Sequence, residues 1–371
     1  MERSEVRRAV AVARSTVSAL GMPVEHAIVV NNSNNLAVRL LPCDVLARVA
    51  PAGRHLAEFE IDLAQRLARA RCPVAVLDPR VAPHVYERDG FVLTFWKYYE
   101  TERSGEASPD AYAKALARLH AGMRTLNVGA PHFTDRVDAA LRVVVRPDGG
   151  SALDETDRRL IGDALRALRR SITERGAREQ LLHGEPHPGN VLMTEEGVLF
   201  IDLETCCRGP IELDLADVPE AVSNRYPGLD PDLLVDCRGL VLAMVAAWRC
   251  DPADQFPDGP RFGRALVGAL KEGRPWPSFG ALFDPFTPAH EDQSRSPSDN
   301  GTSRRSSRPK ADGAPDGWSS DTRSHGPSKS VDADRRRSPH PAEPRMESGL
   351  QGSGPHSREA ACTEDESRKS Q

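Results

Sequence analysis

Eight residues, His183-Gly184-Glu185-Pro186-His187-Pro188-Gly189-Asn190, are followed by the apolar run Val198-Leu199-Phe200-Ile201 and then Asp202, and together they hold most of the chemistry legible in this chain. In order they supply a carboxylate, an amide and a second carboxylate, a set able to align a hydroxyl, a hard metal ion and a nucleotide phosphate. Val191-Leu192-Met193 and Val198 to Ile201 read as two short strands around the turn Thr194-Glu195-Glu196-Gly197. A hairpin returns its end beside its beginning, so Asn190 and Asp202 are expected to converge. Oxygen ligands of this kind suit Mg²⁺, which usually completes its coordination with water and substrate phosphates. Pro186 and Pro188 stiffen the loop and hold Glu185 clear of a helix.

Two other readings use the same residues. His183, Glu185 and His187 alternate, so on an extended strand they would face one side and, with Asp202, could ligate a transition metal in a metal-dependent hydrolase. Pro186 and Pro188 speak against a regular interior strand. The plainer alternative is a surface turn whose histidines are merely polar.

The segment from His183 to Ala216, which ends Gly209-Pro210-Ile211-Glu212-Leu213-Asp214-Leu215-Ala216, resembles the catalytic core of the aminoglycoside phosphotransferase family, the small-molecule branch of the protein-kinase-like fold. Its loop matches that family's His-Gly-Asp-x-His-x-x-Asn pattern except that Glu185 stands where Asp is usual. The resemblance implies an ATP-dependent phosphotransferase acting on a small-molecule hydroxyl acceptor, with ATP and Mg²⁺ as cofactors. It places Glu185 at the catalytic base and His187 where protein kinases often have a Lys that meets the transferred phosphate. Asn190 and Asp202 fall at the metal ligands, His183 at a histidine that braces the loop, and Asp214 at a structural carboxylate. A kinase-like protein that binds nucleotide or a small molecule without transferring phosphate is the alternative from another class. Family members act on antibiotics and on metabolites, and a polycationic aminoglycoside would ask for a carboxylate-rich pocket. Glu204, Glu212, Asp217 and Glu220 lie near the site in sequence.

The implied fold class is α+β: a small N-terminal lobe of antiparallel sheet with a helix (residues 1–97), a larger mainly helical lobe (98–290) and a disordered tail (291–371). The residues agree with it. Val6, Val10, Ala13 and Val17 recur at helical spacing before Gly21 and Pro23. Two strands, 26–30 and 36–41, flank the turn Asn31-Asn32-Ser33-Asn34-Asn35, and by resemblance Ser33 and Asn34 lie over the nucleotide phosphates. Asp44 to Ala50 reads as a third strand, whose Arg48 stands at the position of a phosphate-contacting Lys. The following helix, Arg54 to Ala70, offers Glu60 as its carboxylate partner. A hairpin over 85–96 turns at Asp89-Gly90. It leads to a hinge at Thr94 to Lys97, where Phe95 and Trp96 either line the adenine pocket or pack between lobes. Helices are expected over Asp110 to Ala121, Asp154 to Arg175, Asp232 to Trp248 and Phe262 to Lys271.

Composition narrows the classes further. The net charge of −5 and pI near 6.2 offer no electrostatic case for nucleic acid as a partner. No apolar run approaches the ~20 residues that span a bilayer. The first residues, Met1-Glu2-Arg3-Ser4-Glu5, lack a signal-like apolar core. Seven cysteines without a Cys-x-x-Cys pair fit a reducing compartment, so a cytoplasmic location is expected, with the vicinal pair Cys206-Cys207 as buried thiols. From Glu291 onward Val331 and Leu350 are the only Val, Ile, Leu or Phe residues, too few to bury against chain entropy.

Overall fold

The structure, a computed structural model, describes residues 1–32, 35–53, 56–101, 107–146, 153–252, 254, 256 and 259–283. Ser33, Asn34 and the tail expected over 291–371 lie outside the described residues.

Helix α1 (Arg3–Ala19) buries Ala9, Val12, Ala13, Thr16 and Val17 along one stripe. It ends before Gly21, whose φ of +84° is a conformation that a side chain would resist. Its partner is an antiparallel sheet of β1 (Val24–Asn32), β2 (Leu36–Pro42), β3 (Val45–Pro51), β4 (Tyr86–Arg88) and β5 (Phe91–Lys97), ordered β1-β2-β3-β5-β4. Helix α2 (Leu56–Arg69) follows β3 in the chain. Asp89 and Gly90 both have positive φ, 51° and 81°, as a two-residue hairpin turn matching strand twist requires.

Alternation along the strands sorts the sheet into two faces. Leu36, Val38, Leu40, Val45, Ala47, Val49, Phe91, Leu93 and Phe95 form one core with α1. The register places Leu46 opposite Arg39 and Trp96, and Arg48 opposite Ala37 and Thr94, on the other face. Leu63 and Leu67 of α2, with Trp96, belong to a second and larger core that continues through the helical part.

That part holds α3 (Pro109–Met123), α4 (Phe133–Val144) and α5 (Glu155–Glu174), then β6 (Glu179–Leu182), β7 (Val191–Thr194), β8 (Gly197–Phe200) and β9 (Cys207–Pro210). It closes with α6 (Glu212–Asp217), α7 (Glu220–Ser223), α8 (Pro231–Arg249), α9 (Gly259–Glu272) and α10 (Phe279–Phe283). Helix α8 is buried nearly all round, from Leu233 to Ala247, as the central helix of this core must be. Its N-terminus is capped by Asp230, which accepts from Asp232 N and Leu233 N at 2.9 and 3.2 Å.

Two short ladders carry the site. β6 pairs with β9, and β7 with β8, so Val191 lies opposite Phe200. Phe200 also donates to Pro73 O at 2.8 Å and accepts from Ala75 N at 3.0 Å, which fixes the hairpin to the segment after α2. The elements read from sequence are all present. Of those it passed over, β6, β9, α6, α7 and α10 are four to six residues long, too short for periodicity to register, whereas α4, at twelve, does carry helical spacing.

Candidate active site

The loop between β6 and β7 is held from below by buried Asp214 of α6. Its carboxylate accepts from His183 N and Gly184 N, both at 2.8 Å, and from His120 Nε2 at 2.9 Å. The Nδ1 of His120 meets the Tyr226 hydroxyl at 2.8 Å. Asp214, His120 and His183 are all 0% exposed. Burial alone would raise the Asp214 carboxyl, yet the bond from His120 and the charges and donors around it hold it below the usual carboxylate range. His183 donates from Nε2 to Ile201 O at 3.0 Å, and burial lowers its pKa, so it braces the loop as a neutral ring. Its other ring nitrogen, Nδ1, accepts from Glu185 N at 3.4 Å, so both nitrogens are engaged within the loop. Tyr112 of α3 fixes the loop from another side through a hydrogen bond to Pro186 O.

Gly184 has φ +91°, and a Cβ there would sit 2.1 Å from Thr205 O. Glycine is therefore required twice over, by conformation and by space.

Ile201 N donates to Asn190 O at 3.1 Å, and the two ends of the hairpin meet as the sequence implies. Asn190 is 7% exposed. Its Nδ2 donates to Glu185 O at 2.9 Å, which leaves Oδ1 without a hydrogen bond from a described residue. Asp202 adopts the left-handed region, φ 65°, ψ 66°, and is 34% exposed at its side chain. His187 caps the turn 188–190 by accepting from Gly189 N at 3.1 Å, its ring packs 5.6 Å from Phe279 of α10, and burial pushes its pKa down to about 3. The uncharged imidazole does not supply the cation that a Lys would.

The N-terminal sheet contributes Arg48. From the middle of β3 it pairs with Glu60 of α2, with Asp202 Oδ1 at 2.9 Å and with Glu204 Oε1 at 3.2 Å. Burial opposes its charge, but Glu60, Asp202 and Glu204 outweigh this and raise its pKa. Glu60, 1% exposed, also accepts from Leu203 N at 3.1 Å, so one carboxylate ties α2 to the turn carrying Asp202. Burial pushes Glu60 upward, with Arg48 opposing and Asp202 and Glu204 adding to the rise. Asn35 donates to Glu204 Oε1 at 2.7 Å. On the same helix, Asp62 pairs with Arg66 on the surface.

Of the two expectations for Phe95 and Trp96, the structure fits packing. Neighbouring strand residues face opposite sides, so they cannot line one pocket together. Phe95 packs in the α1 core, away from Arg48. Trp96 shares Arg48's face, but it is 5% exposed, donates to Thr94 Oγ1 at 2.8 Å and serves as packing. The solvent-exposed apolar group in its row is Ile28, 47% exposed, opposite Arg39 of β2. Alternation in 26–30 was the signal for Ile28.

Arg136 of α4 was also missed. Its guanidinium donates to Gly184 O at 2.7 Å and to Glu185 Oε1 at 2.5 Å, and lies 5.3 Å from the Trp248 ring. The signals were Phe133, Val137, Ala140 and Val144 at helical spacing, and Asp135 returning to His132 as a capping box. Burial pushes Glu185 up, with Arg136 opposing, and pushes Asp217 at the end of α6 well above its usual range. The other acidic residues near in sequence have partners of their own. Glu204 is bound to Arg48, Glu212 accepts from Asp230 N at 3.0 Å, and Glu220 lies 3.7 Å from Arg238. Among the described residues no helix is long and apolar enough to cross a membrane, and no three His, Cys, Asp or Glu side chains form a metal cluster.

The sequence pattern of the phosphotransferase enzyme family matches residues 29–236, more than half of the chain. Amicoumacin kinase hAmiN, solved with AMP-PNP, Ca²⁺ and Ami, is similar with a TM-score of 0.55 at 12% identity, over 74% of this chain and 97% of that one. The GDP and kanamycin complex of APH(2")-IIia gives 0.56 at 13%, over 71% and 99%. Choline kinase LicA from Streptococcus pneumoniae gives 0.52 at 13%, over 71% and 98%. At such identities the structural likeness is one of fold. No curated protein matches the sequence.

Proposed function

The chain belongs to the phosphotransferase enzyme family, and from that premise we propose that it transfers the γ-phosphate of ATP to a hydroxyl group of a small molecule. The observation that carries this reading is the meeting of Arg48 from β3, Glu60 from α2 and Asp202 from the turn after β8 in one hydrogen-bonded cluster.

Each residue then has a task set by its chemistry. Asn190 Oδ1 and the carboxylate of Asp202 are hard oxygen donors on adjoining ends of one hairpin, a donor set that fits Mg²⁺. Held by Asn190 and Asp202 with ATP, a Mg²⁺ ion would supply charge neutralisation at the phosphate oxygens. Arg48, always charged and buried beneath the sheet, offers its guanidinium fork to the phosphates in exchange for part of its carboxylate cage. Glu60 holds the arginine in place. Ile28 and Leu46 give that face of the sheet an apolar surface for the base. Glu185 orients the acceptor hydroxyl in line with the γ-phosphorus. The acceptor oxygen bonds to phosphorus, the bond to the β,γ-bridging oxygen breaks, ADP leaves, and the hydroxyl proton passes to the Glu185 carboxylate. Such a transition state needs positioning and charge stabilisation more than a strong base.

Transfer of labelled γ-phosphate from MgATP to a panel of neutral, anionic and cationic hydroxyl compounds tests the reading. Glu185→Gln is expected to lower turnover with ATP affinity unchanged. Full transfer by Glu185→Gln removes the base assignment. A chain that binds MgATP yet transfers nothing is a nucleotide-binding relative instead.

A further inference from the structure

Resting on that phosphotransfer reading, we infer that Arg136 is a positioning residue for Glu185, clamping one carboxylate oxygen so that the other remains for the acceptor hydroxyl. The clamp is built from two nitrogens of one guanidinium. One donates to Gly184 O at 2.7 Å and the other to Glu185 Oε1 at 2.5 Å, so backbone and side chain of adjacent loop residues are held by a single rigid fork. Glu185 Oε2 accepts no hydrogen bond from a described residue, and the side chain is 30% exposed. One oxygen is thus anchored and one is open.

The fork is itself fixed. Arg136 lies 15% exposed on α4, next to the fully buried Val137, with its guanidinium 5.3 Å from the Trp248 ring of α8. A Cβ on Gly184 would sit 2.8 Å from the nearer guanidinium nitrogen, so the glycine that lets the loop turn also makes room for the clamp.

The clamp accounts for glutamate at a position where the resembling loops have aspartate. Glutamate has one more rotatable bond, and a loosely held carboxylate would spend most of its time away from any one hydroxyl. Anchoring one oxygen to α4 removes that freedom. Lysine cannot substitute fully, because an ammonium is a point charge and cannot bridge the two acceptors in one plane.

The test uses the whole chain and acceptor-independent hydrolysis of MgATP, with water as the hydroxyl compound, alongside the transfer panel. Arg136→Gln is expected to lower kcat about tenfold while KM for ATP stays within about twofold, and Arg136→Lys to recover part of the loss. Placed on Glu185→Gln, Arg136→Gln is expected to lower kcat no further, because the arginine acts through the carboxylate. If Arg136→Gln does not fold, Arg136→Lys carries the same comparison. If Glu185→Gln leaves no measurable hydrolysis, the division between kcat and KM decides.

Unchanged kcat in both arginine variants overturns the inference. So does a rise in KM for ATP equal to the fall in kcat, or an equal loss on both Glu185 backgrounds. A wild-type chain inert toward water and every compound of the panel sinks the phosphotransfer reading first and the clamp with it, an outcome distinct from an active wild type with a silent Arg136.

Discussion

Replacing Asp214 with Asn is the perturbation whose size can be worked most closely from the structure. The carboxylate is fully buried and accepts three hydrogen bonds, from His183 N, Gly184 N and His120 Nε2, at 2.8 to 2.9 Å. An Asn of the same shape retains one acceptor oxygen. If that oxygen keeps His183 N and His120 Nε2, the amide nitrogen must face the Gly184 N–H, donor against donor. An unsatisfied buried donor costs about 1–3 kcal/mol, and two charge-assisted bonds reduced to neutral ones add roughly 1 kcal/mol each. The loss is therefore about 3–5 kcal/mol, which lowers the melting temperature by roughly 6–10 °C in a domain of this size. Thermal unfolding followed by circular dichroism measures it. The sign of the pH dependence follows from the depressed pKa of Asp214. An acid held below its unfolded value stabilises above the unfolded pKa, and that contribution fades as pH falls through the folded one. The gap between wild type and Asp214→Asn is thus widest at neutral pH and narrows under strong acid. A variant melting within about 2 °C of wild type at neutral pH would refute the claim that Asp214 anchors the loop.

Gly184→Ala places a methyl group 2.1 Å from Thr205 O at a φ of +91°, and a loss of more than about 2 kcal/mol in urea unfolding is expected, with transfer abolished in whatever folds. The two faces of the sheet separate in a paired test. Phe95→Leu is expected to cost about 1 kcal/mol of stability with ATP affinity intact, since Phe95 packs under α1. Ile28→Glu, at an exposed position, is expected to leave stability within about 0.5 kcal/mol while weakening ATP at least about tenfold by titration calorimetry.

The parts of the fold legible in the sequence are those whose signals are local. Val6, Val10, Ala13 and Val17 give α1 because a helix repeats its buried face, and Asp89-Gly90 gives its hairpin because few dipeptides accept two positive φ values. Asn190 and Asp202 were legible for a similar reason: a hairpin of two four-residue strands fixes the distance between its ends. Arg48 and Glu60 needed a resemblance to pair them, since twelve residues separate them and only the packing of α2 beside β3 brings them into contact. Arg136 was out of reach. It stands 49 residues from Glu185, and nothing in the loop motif points to α4. For Phe95 and Trp96, the alternation of strand side chains already set packing above a shared pocket lining.

Binding of MgATP to wild type and to Asp202→Ala, measured by titration calorimetry with the free nucleotide as control, decides whether Asp202 joins metal and nucleotide in one site. Wild type is expected to bind MgATP more tightly than metal-free ATP, and Asp202→Ala to lose this preference with at least about a tenfold fall in affinity for MgATP. Equal affinities for MgATP in the two proteins, with the metal preference retained in the variant, would contradict that role for Asp202.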